Sequence, residues 1–250
     1  MHVPDAYSVT DSDQLHAFLT AHSFALLVST DVRPDASPIA THLPLLVEVE
    51  NGKPVRLTGH MARGNPQWEA ADGRPVLAIF AGPHAYISAA WYGERNVVPT
   101  WNYVSVHVTG TLTVDRELAR VMHTLKQSVD FYESNRSAPW TMESTDSTYL
   151  HRLTAGIVAF SISIDQIQGC WKLNQHHSQA KRDGVIAGLQ DRGHYDDLTI
   201  AALMRDASQT WTSEDYSGLS LCERSVCIRS FREELVRELF LRSDKCGITD

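Results

Sequence analysis

The most regular pattern of hydrophobic and polar positions in the chain runs through residues 100–114. Apolar and polar side chains alternate there without interruption, and a period of two places successive side chains on opposite sides of a strand. The pattern therefore predicts one long strand with two different faces. One face holds Asn102, Val104, Val106 and Val108, and the other holds Trp101, Tyr103, Ser105, His107 and Thr109.

Shorter apolar runs, bounded by turn residues, predict further strands. They are rich in β-branched and aromatic side chains, which favour extended structure. Residues 50–54 carry a hairpin signal, and residues 32–38 form a predicted turn. The predicted strands are residues 24–30, 39–50, 55–60, 75–82, 84–88 and 157–169.

Helical spacing of apolar residues occurs between these strands and after the last one. The segment 11–23 opens with capping residues, and Asn65 and Pro66 suit an N-cap and a first helical position. The predicted helices are residues 11–23, 65–72, 115–133, 145–156, 178–193 and 196–207.

The order of these elements predicts the fold class. Six or seven strands follow one another with mostly short connections, and the alternation of strand and helix that is typical of a parallel sheet is absent. We expect a mostly β protein, an antiparallel barrel with peripheral helices, over residues 1–206. Residues 207–250 show no clear period apart from a possible amphipathic helix at 231–243, and they are predicted to be an appended tail.

Composition narrows the class of protein. The chain has 250 residues, 43% hydrophobic and 21% charged, with a formal net charge of −8, so bulk charge does not recruit nucleic acid. The polar N-terminus and the absence of a long apolar run predict a cytoplasmic protein without a membrane span. The cysteines form no CxxC pair and are expected to be reduced thiols, at Cys170, Cys222, Cys227 and Cys246.

Six separated motifs together resemble one family, the PaiB-type FMN-binding negative transcriptional regulators with a split β-barrel. The motifs are residues 40–46 (ATHLPLL), 59–68 (GHMARGNPQW), 76–88 (VLAIFAGPHAYIS), 98–110 (VPTWNYVSVHVTG), 156–178 and the helices ending at MRDA. The resemblance covers roughly residues 1–206. It implies a homodimer with FMN at the subunit interface, and a regulatory role that in the founding case concerns protease and sporulation genes.

The first candidate element for FMN is the segment around GHMARGNP. His60 and Arg63 leave a strand and precede a helix whose free N–H groups begin near Asn65. Arginine offers a planar fork suited to phosphate oxygens, and Thr58 can add a hydroxyl. These residues predict a phosphate site. In the alternative interpretation, Arg63 pairs with a surface carboxylate and His60 caps the turn.

The second candidate element is ATHLPLL, which the resemblance places beside the flavin ring. Thr41 and Leu43 share one face of the predicted strand, whereas His42 points to the other. Pro44 removes a ladder donor, which suits an edge strand or a strand interrupted near a ligand. An ordinary barrel strand with His42 at its rim explains the pattern equally well.

The third candidate element is WKLNQHHS, directly after the last predicted strand. Trp171, Lys172 and Gln175 supply an aromatic ring, a cation and an amide, and the resemblance implies that they come from the partner subunit. In the alternative interpretation, Trp171 closes the end of the barrel. Trp101 and Tyr103 are candidates for the dimer contact or for barrel filling, and Trp91 and Tyr92 for exposed contacts.

Three classes of function remain open. A flavin-dependent reductase or oxidase is compatible with the sequence, because the flavin carries the redox chemistry and no catalytic triad is needed. A transcriptional regulator is the second class, although the helix at 196–207 has a single cation, Arg205, and begins with two aspartates, so direct DNA binding is weakly supported. A haem-binding barrel, with His176, His177 or His194 as axial ligand, is the third.

Overall fold

The computed structural model describes residues 1–30 and 37–207, which form a closed antiparallel barrel surrounded by helices. The strands are β1 (Ser8–Val9), β2 (Phe24–Ser29), β3 (Ile39–Glu50), β4 (Lys53–Ala62), β5 (Arg74–Ile87), β6 (Thr100–Asp115) and β7 (Ile157–Lys172). The α-helices are α1 (Ser12–Ala21), α2 (Gln67–Ala71), α3 (Leu118–Glu133), α4 (Ser147–Thr154), α5 (Gln179–Arg192) and α6 (Asp197–Asp206). Three 3-10 helices lie at Asp5–Tyr7, Ala89–Tyr92 and Met142–Ser144.

The barrel closes through β7. The strands follow the order β7-β4-β3-β2-β5-β6, and β6 pairs again with β7, every pairing being antiparallel. The first half of β7 pairs with β4, up to Ser163, whereas its second half pairs with the short strand β1 at Gly169 and Cys170. The strand therefore leaves β4 midway, which splits the barrel on one side. The predicted fold class, an antiparallel split barrel with peripheral helices, is confirmed.

Alternation along β6 determines which side chains fill the barrel. The even-numbered residues from Asn102 to Val114 are buried, whereas the odd-numbered residues are half-buried or exposed, as the sequence predicts. Helix α1 adds Leu15, Phe18 and Leu19 to the same core. Burying these apolar side chains is the main force that holds the elements together.

A close approach of two strands requires glycine at position 110. A Cβ atom there would lie 2.2 Å from the carbonyl oxygen of Ser163 on the neighbouring strand β7. The register between β6 and β7 shifts at the same place, between Thr109 and Gly110. Only a residue without a side chain fits such an irregularity in the sheet.

Two local predictions differ from the structure. Residues 75–82 and 84–88 belong to one strand, β5, whose register shifts between Ala81 and His84, because the bulge around Pro83 accommodates a residue that cannot donate to the ladder. The prediction that Trp91 and Tyr92 make exposed contacts is wrong. Tyr92 is 5% exposed, the indole of Trp91 packs against Gly188 of α5, and the backbone carbonyl of Trp91 lies against Gly184.

The remaining predictions concern the ends of the chain. The appended tail lies beyond the described residues except for Ala207, and so do three of the four cysteines and most of the turn at 32–38. Cys170 is buried with a free thiol. Within the described ranges, no helix is both long and apolar enough to cross a membrane.

Candidate functional site

The turn between β4 and α2 presents an arginine that the fold holds in place. The backbone N–H of Arg63 donates to Gly156 O at 2.9 Å, so the turn lies against the residues that lead into β7. The guanidinium donates through Nε to Ala155 O at 2.7 Å and through Nη2 to Ile157 O at 2.8 Å. Both acceptors are neutral carbonyls, so they orient the guanidinium and leave its charge uncompensated.

The charge of Arg63 is available to a ligand. The residue is exposed, and no carboxylate in the described part of the chain forms an ion pair with it. The alternative interpretation predicted that Arg63 pairs with a surface carboxylate, and the described residues form no such pair. Its remaining N–H groups can donate to an anion, which is the chemistry expected of a phosphate ligand.

Asn65 connects this turn to β3. Its Nδ2 donates to Thr41 Oγ1 at 2.8 Å, and its Oδ1 accepts from the backbone N–H of Gln67 at 3.0 Å. Two predicted site residues from separate motifs are thus in direct contact. The helix begins one residue later than predicted, since Pro66 is the N-cap and Asn65 caps it from outside.

Gln67 anchors the turn, and the sequence analysis missed it. The residue is 0% exposed, and its Nε2 donates to Leu27 O, Ser29 Oγ and Ile39 O at 3.1–3.2 Å. These bonds tie α2 to β2 and β3. Glutamine in the first turn of a short helix carries no sequence signal that distinguishes a buried anchor from a surface residue.

His60 and Thr58 lie on the outer face of β4, side by side with Ala159 and Ser161 of β7. Thr58 is buried, and Nδ1 of His60 is buried without a hydrogen-bond partner among the described residues. Burial lowers the pKa of His60 below its ordinary value of 6.5, because the imidazolium would lose hydration. The lowered pKa favours the neutral imidazole, so His60 would offer a bound phosphate a hydrogen bond and not a positive charge.

The predicted ring-binding strand, β3, has one face in the core and the other at the surface. Leu43 is 4% exposed and belongs to the barrel core, whereas His42 is exposed and stacks on Phe24, with 6.0 Å between ring centroids. Phe24 itself is 66% exposed. This pair forms an exposed aromatic surface on the face of β3 opposite to Thr41 and Leu43.

The third predicted element lies at the far end of β7. Lys172 donates from Nζ to Thr100 Oγ1 at 2.7 Å and, among the described residues, has no carboxylate partner. The amide of Gln175 closes the following turn by accepting from Leu173 N at 2.8 Å and donating to Trp171 O. Trp171 is 7% exposed and packs edge-on against Phe18, which is the barrel-end packing that the alternative interpretation predicted.

The structure separates the predicted site residues into two groups. Arg63, Asn65 and Thr41 lie where β7 begins, and Lys172 and Gln175 lie where it ends, fifteen residues further on. A fully extended strand of that length spans at most about 50 Å at 3.3 Å per residue, and among the described residues no hydrogen bond or ion pair joins the two groups. One chain therefore does not bring the two groups together.

A cleft beside Arg63 has the composition of an anion site. It measures about 440 Å³ and lies between the ends of β4 and β6, the start of β7 and helices α3 and α4. Arg63, Arg116 and His151 line it, together with one carboxylate, Asp115, the side chain of Trp68 and the aliphatic residues Leu118 and Val121. We call it the Arg63 cleft. Its size is within the range of small-molecule pockets.

The histidines suggested as haem ligands have partners within the protein. Nδ1 of His176 shares a hydrogen bond with the hydroxyl of Tyr7 at 2.9 Å, and its ring lies 4.0 Å from that of His177. The ring of His177 in turn lies 4.8 Å from that of Tyr92. No group of three or more His, Cys, Asp or Glu residues in the described part of the chain could hold a metal ion.

The helices α5 and α6 use their cations internally. Lys181 pairs with Glu94 at 2.8 Å, Arg192 pairs with Asp197 at 2.6 Å, and Arg182 is buried and donates to Met204 O at 2.8 Å. A helix that reads DNA needs such side chains free for phosphates and base edges. The geometry of α5 and α6 therefore does not resemble a DNA-reading pair.

Comparison with known proteins identifies the class. Residues 1–166 match the family described as "Putative FMN-binding domain". The chain belongs to this FMN-binding family, and its cofactor is FMN.

The chain is also similar to particular known proteins. The chain is similar to Protease synthase and sporulation protein PAI 2 of Bacillus subtilis, with 35% identity over 207 residues, 82% of this chain and 97% of the relative. It is 26% identical to Uncharacterized protein AN0679 of Emericella nidulans, over 73% of this chain and 88% of the relative. Among solved structures, flavocytochrome Anf3 from Azotobacter vinelandii is similar with a TM-score of 0.49 and 15% identity, covering 68% of this chain and 72% of that one.

The residues at the β4–α2 turn fit FMN. A phosphate requires an oriented cation with free donors, which Arg63 provides, and neighbouring polar groups, which Asn65 and Thr41 provide. The flavin ring requires hydrogen-bond partners beside an apolar surface. Nδ1 of His60, which is buried and has no partner among the described residues, lies on β4, the strand that leads into this turn.

Proposed function

We propose that this protein is a homodimeric regulator that binds FMN between two copies of the chain. Arg63, Asn65 and Thr41 of one copy would hold the phosphate, and Lys172 and Gln175 of the partner subunit would complete the site. The observation that carries the proposal is the separation of these groups at opposite ends of β7, each with a cation that no described carboxylate neutralises.

Arg63 and Lys172 would have different roles in binding FMN. Arg63 is already oriented by two carbonyls, so it would lose little side-chain freedom when it binds a phosphate. Lys172 is held by Thr100 and would add a second positive charge from the other copy. Bound FMN supplies reversible electron transfer, a chemistry that amino-acid side chains lack.

A regulatory role is suggested by the name of the Bacillus subtilis relative. The Bacillus subtilis relative is named for protease synthesis and sporulation, and we infer a comparable role for this chain. The internal pairing of Lys181 and Arg192 argues that the effect is indirect, through a partner protein or a small molecule, and not through direct DNA contact. A gel shift at low salt with tight, sequence-selective DNA binding would contradict this part of the proposal.

The shared site is tested by complementation. Arg63→Ala and Lys172→Ala are each expected to retain little FMN after desalting, measured by visible absorbance of the full-length protein. When the two variants are unfolded together and refolded, we expect about a quarter of the wild-type flavin, because half of randomly formed dimers are mixed and each mixed dimer restores one of two sites.

The outcomes separate the parts of the proposal. No recovery of flavin in mixed dimers, with dimerisation verified by size exclusion, would place the site within one chain. Full flavin retention by both single variants would remove the site. Unchanged expression of the regulated genes in a strain carrying Arg63→Ala would show that FMN is not the signal, although it binds.

A further inference from the structure

A second cleft of about 390 Å³ lies away from the Arg63 cleft, between α1, the β3–β4 hairpin and α3. Thr20 and Ser23 line one wall, Gln127 and Phe131 line the opposite wall, and Val47 contributes to the floor. We call it the Gln127 cleft. Thr58 of β4, which the sequence analysis assigned to the phosphate site, also lines this cleft, whereas Arg63, Asn65 and Thr41 do not.

Two walls of the Gln127 cleft carry polar atoms without a partner. Oγ1 of Thr20 on α1 and Oε1 of Gln127 on α3 are buried, and neither forms a hydrogen bond among the described residues. Folded proteins pair nearly all of their buried polar atoms, so an unpaired atom calls for a specific explanation. Both atoms are screened from solvent but belong to residues that line one cleft, so a group that reaches them after a small side-chain shift would have to donate hydrogen bonds, because an amide oxygen only accepts.

The charges around the cleft determine whether a positively or a negatively charged ligand is favoured. Glu48 and Asp130 line it, while the cations that pair with them, Arg56 at 2.8 Å and Lys126 at 3.2 Å, do not. Apart from the imidazole of His16, none of the described lining residues is basic. The cleft therefore favours a positively charged ligand and disfavours a phosphate.

We propose that the Gln127 cleft binds a small molecule with a protonated amine on an apolar body. The ammonium group would donate to Gln127 Oε1 and Thr20 Oγ1, near the carboxylates of Glu48 and Asp130, and the apolar part would lie against Phe131 and Val47. This cleft is distinct from the Arg63 cleft, because the two share no lining residue: Arg63, Arg116 and Asp115 line one, and Glu48 and Asp130 line the other.

The first test uses three probes of similar size on the full-length protein: 2-phenylethylamine, 2-phenylethanol and 3-phenylpropionate. Isothermal titration calorimetry is expected to give saturable binding of the amine, about tenfold or more tighter than the alcohol, and no binding of the carboxylate. Equal binding of all three probes, or no saturable binding of the amine, would overturn the proposal.

Variants identify the atoms responsible. Gln127→Leu keeps the side-chain volume and removes the acceptor, so it is expected to weaken amine binding at least fivefold, whereas Gln179→Leu on α5, whose amide contacts Asp183, is the matched control and should change nothing. Asp130→Asn is expected to weaken the amine more than the alcohol, since it removes a charge and keeps the shape. Retained flavin content and an unchanged circular dichroism spectrum verify folding of each variant.

One outcome separates ligand binding from a structural water. If Gln127→Leu and Thr20→Val raise the melting temperature and leave amine binding unchanged, the unpaired atoms serve a buried water only, and the proposal fails. If both variants lose amine binding while FMN binding persists, the second site is established independently of the flavin site.

Discussion

At the scale of single residues, the arginine of the β4–α2 turn is oriented before any ligand arrives. Two neutral carbonyls hold its guanidinium, so the positive charge stays available while the side chain is already ordered. A surface arginine paired with a carboxylate would first have to break that pair. The contacts of Arg63 are therefore those expected of a binding residue.

Replacing Arg63 by alanine should weaken FMN binding. Losing a hydrogen bond to a charged group costs about 1.5–3 kcal/mol, which corresponds to a rise in Kd of roughly ten- to hundredfold. Titration of the apoprotein with FMN, followed by quenching of flavin fluorescence, measures the change. Arg136→Ala, which removes an exposed arginine paired with Glu133, is the control and should bind FMN normally.

Replacing Gln67 should affect stability and FMN binding together. Gln67→Ala leaves the carbonyls of Leu27 and Ile39 without their donor and opens a cavity, so we expect a loss of about 2–4 kcal/mol in the free energy of unfolding. Because the same residue holds the turn that carries Arg63, FMN binding should also weaken in protein that remains folded. Urea denaturation and FMN titration check the two effects. Glu69→Ala, an exposed change in the same helix, should leave both near wild type.

At the scale of elements, the connection between α5 and α6 depends on one buried carboxylate. Asp197 is 2% exposed, accepts two hydrogen bonds from Arg192 at 2.6 and 2.7 Å, and accepts a third from the backbone N–H of His194. Burial alone would raise the pKa of Asp197, but the bonds from Arg192 and His194 outweigh it, and the net pKa lies below the ordinary value.

Removing this carboxylate should loosen the helix pair. Asp197→Ala is expected to cost about 2–3 kcal/mol of stability, because Arg192 loses its partner in a partly buried position. Thermal or urea unfolding of the variant measures the loss. Asp191→Ala, at an exposed position of α5, should stay within about 0.5 kcal/mol of wild type, and a similar loss there would argue against the assignment.

At the scale of the whole molecule, acid sensitivity follows from histidines that are buried in different parts of the fold. Burial is the largest cause of a lowered pKa at His22, His60, His107 and His177. Each of these imidazoles is easier to protonate in the unfolded chain than in the barrel. They belong to α1, β4, β6 and the segment after β7, so the effect concerns the fold as a unit.

Stability should therefore fall as the pH drops from about 7 to 5. The pKa of these histidines is lower in the folded protein than in the unfolded chain, where it is about 6.5. The unfolded chain therefore binds more protons in this range, so lowering the pH favours unfolding. Above this range the stability that the neutral histidines contribute is fully present. Urea unfolding at several pH values measures the slope. His60→Gln should make the slope shallower, and an unchanged slope in this variant would contradict the role of His60.

Much of the barrel follows from the sequence alone, because strand periodicity is a local property. The alternation in residues 100–114 predicted both faces of β6, and the hairpin signal at Asn51 and Gly52 coincides with two positive φ angles, 51° and 75°, between β3 and β4. The turn residues around Asn65 predicted the position of α2 to within one residue. The bulge in β5 was missed, since a register shift depends on the neighbouring strand.

The tertiary structure alone decided how the candidate residues are grouped. The motifs at 40–46 and 58–68 predicted Thr41, Arg63 and Asn65 separately, and only strand pairing places Thr41 in contact with Asn65. Long-range packing likewise buries Trp171 and Gln67, lowers the pKa of His60 and creates the Gln127 cleft between elements that are distant in sequence. Burial and charge at a site are sums over all neighbours in space, whereas the sequence pattern records only neighbours along the chain.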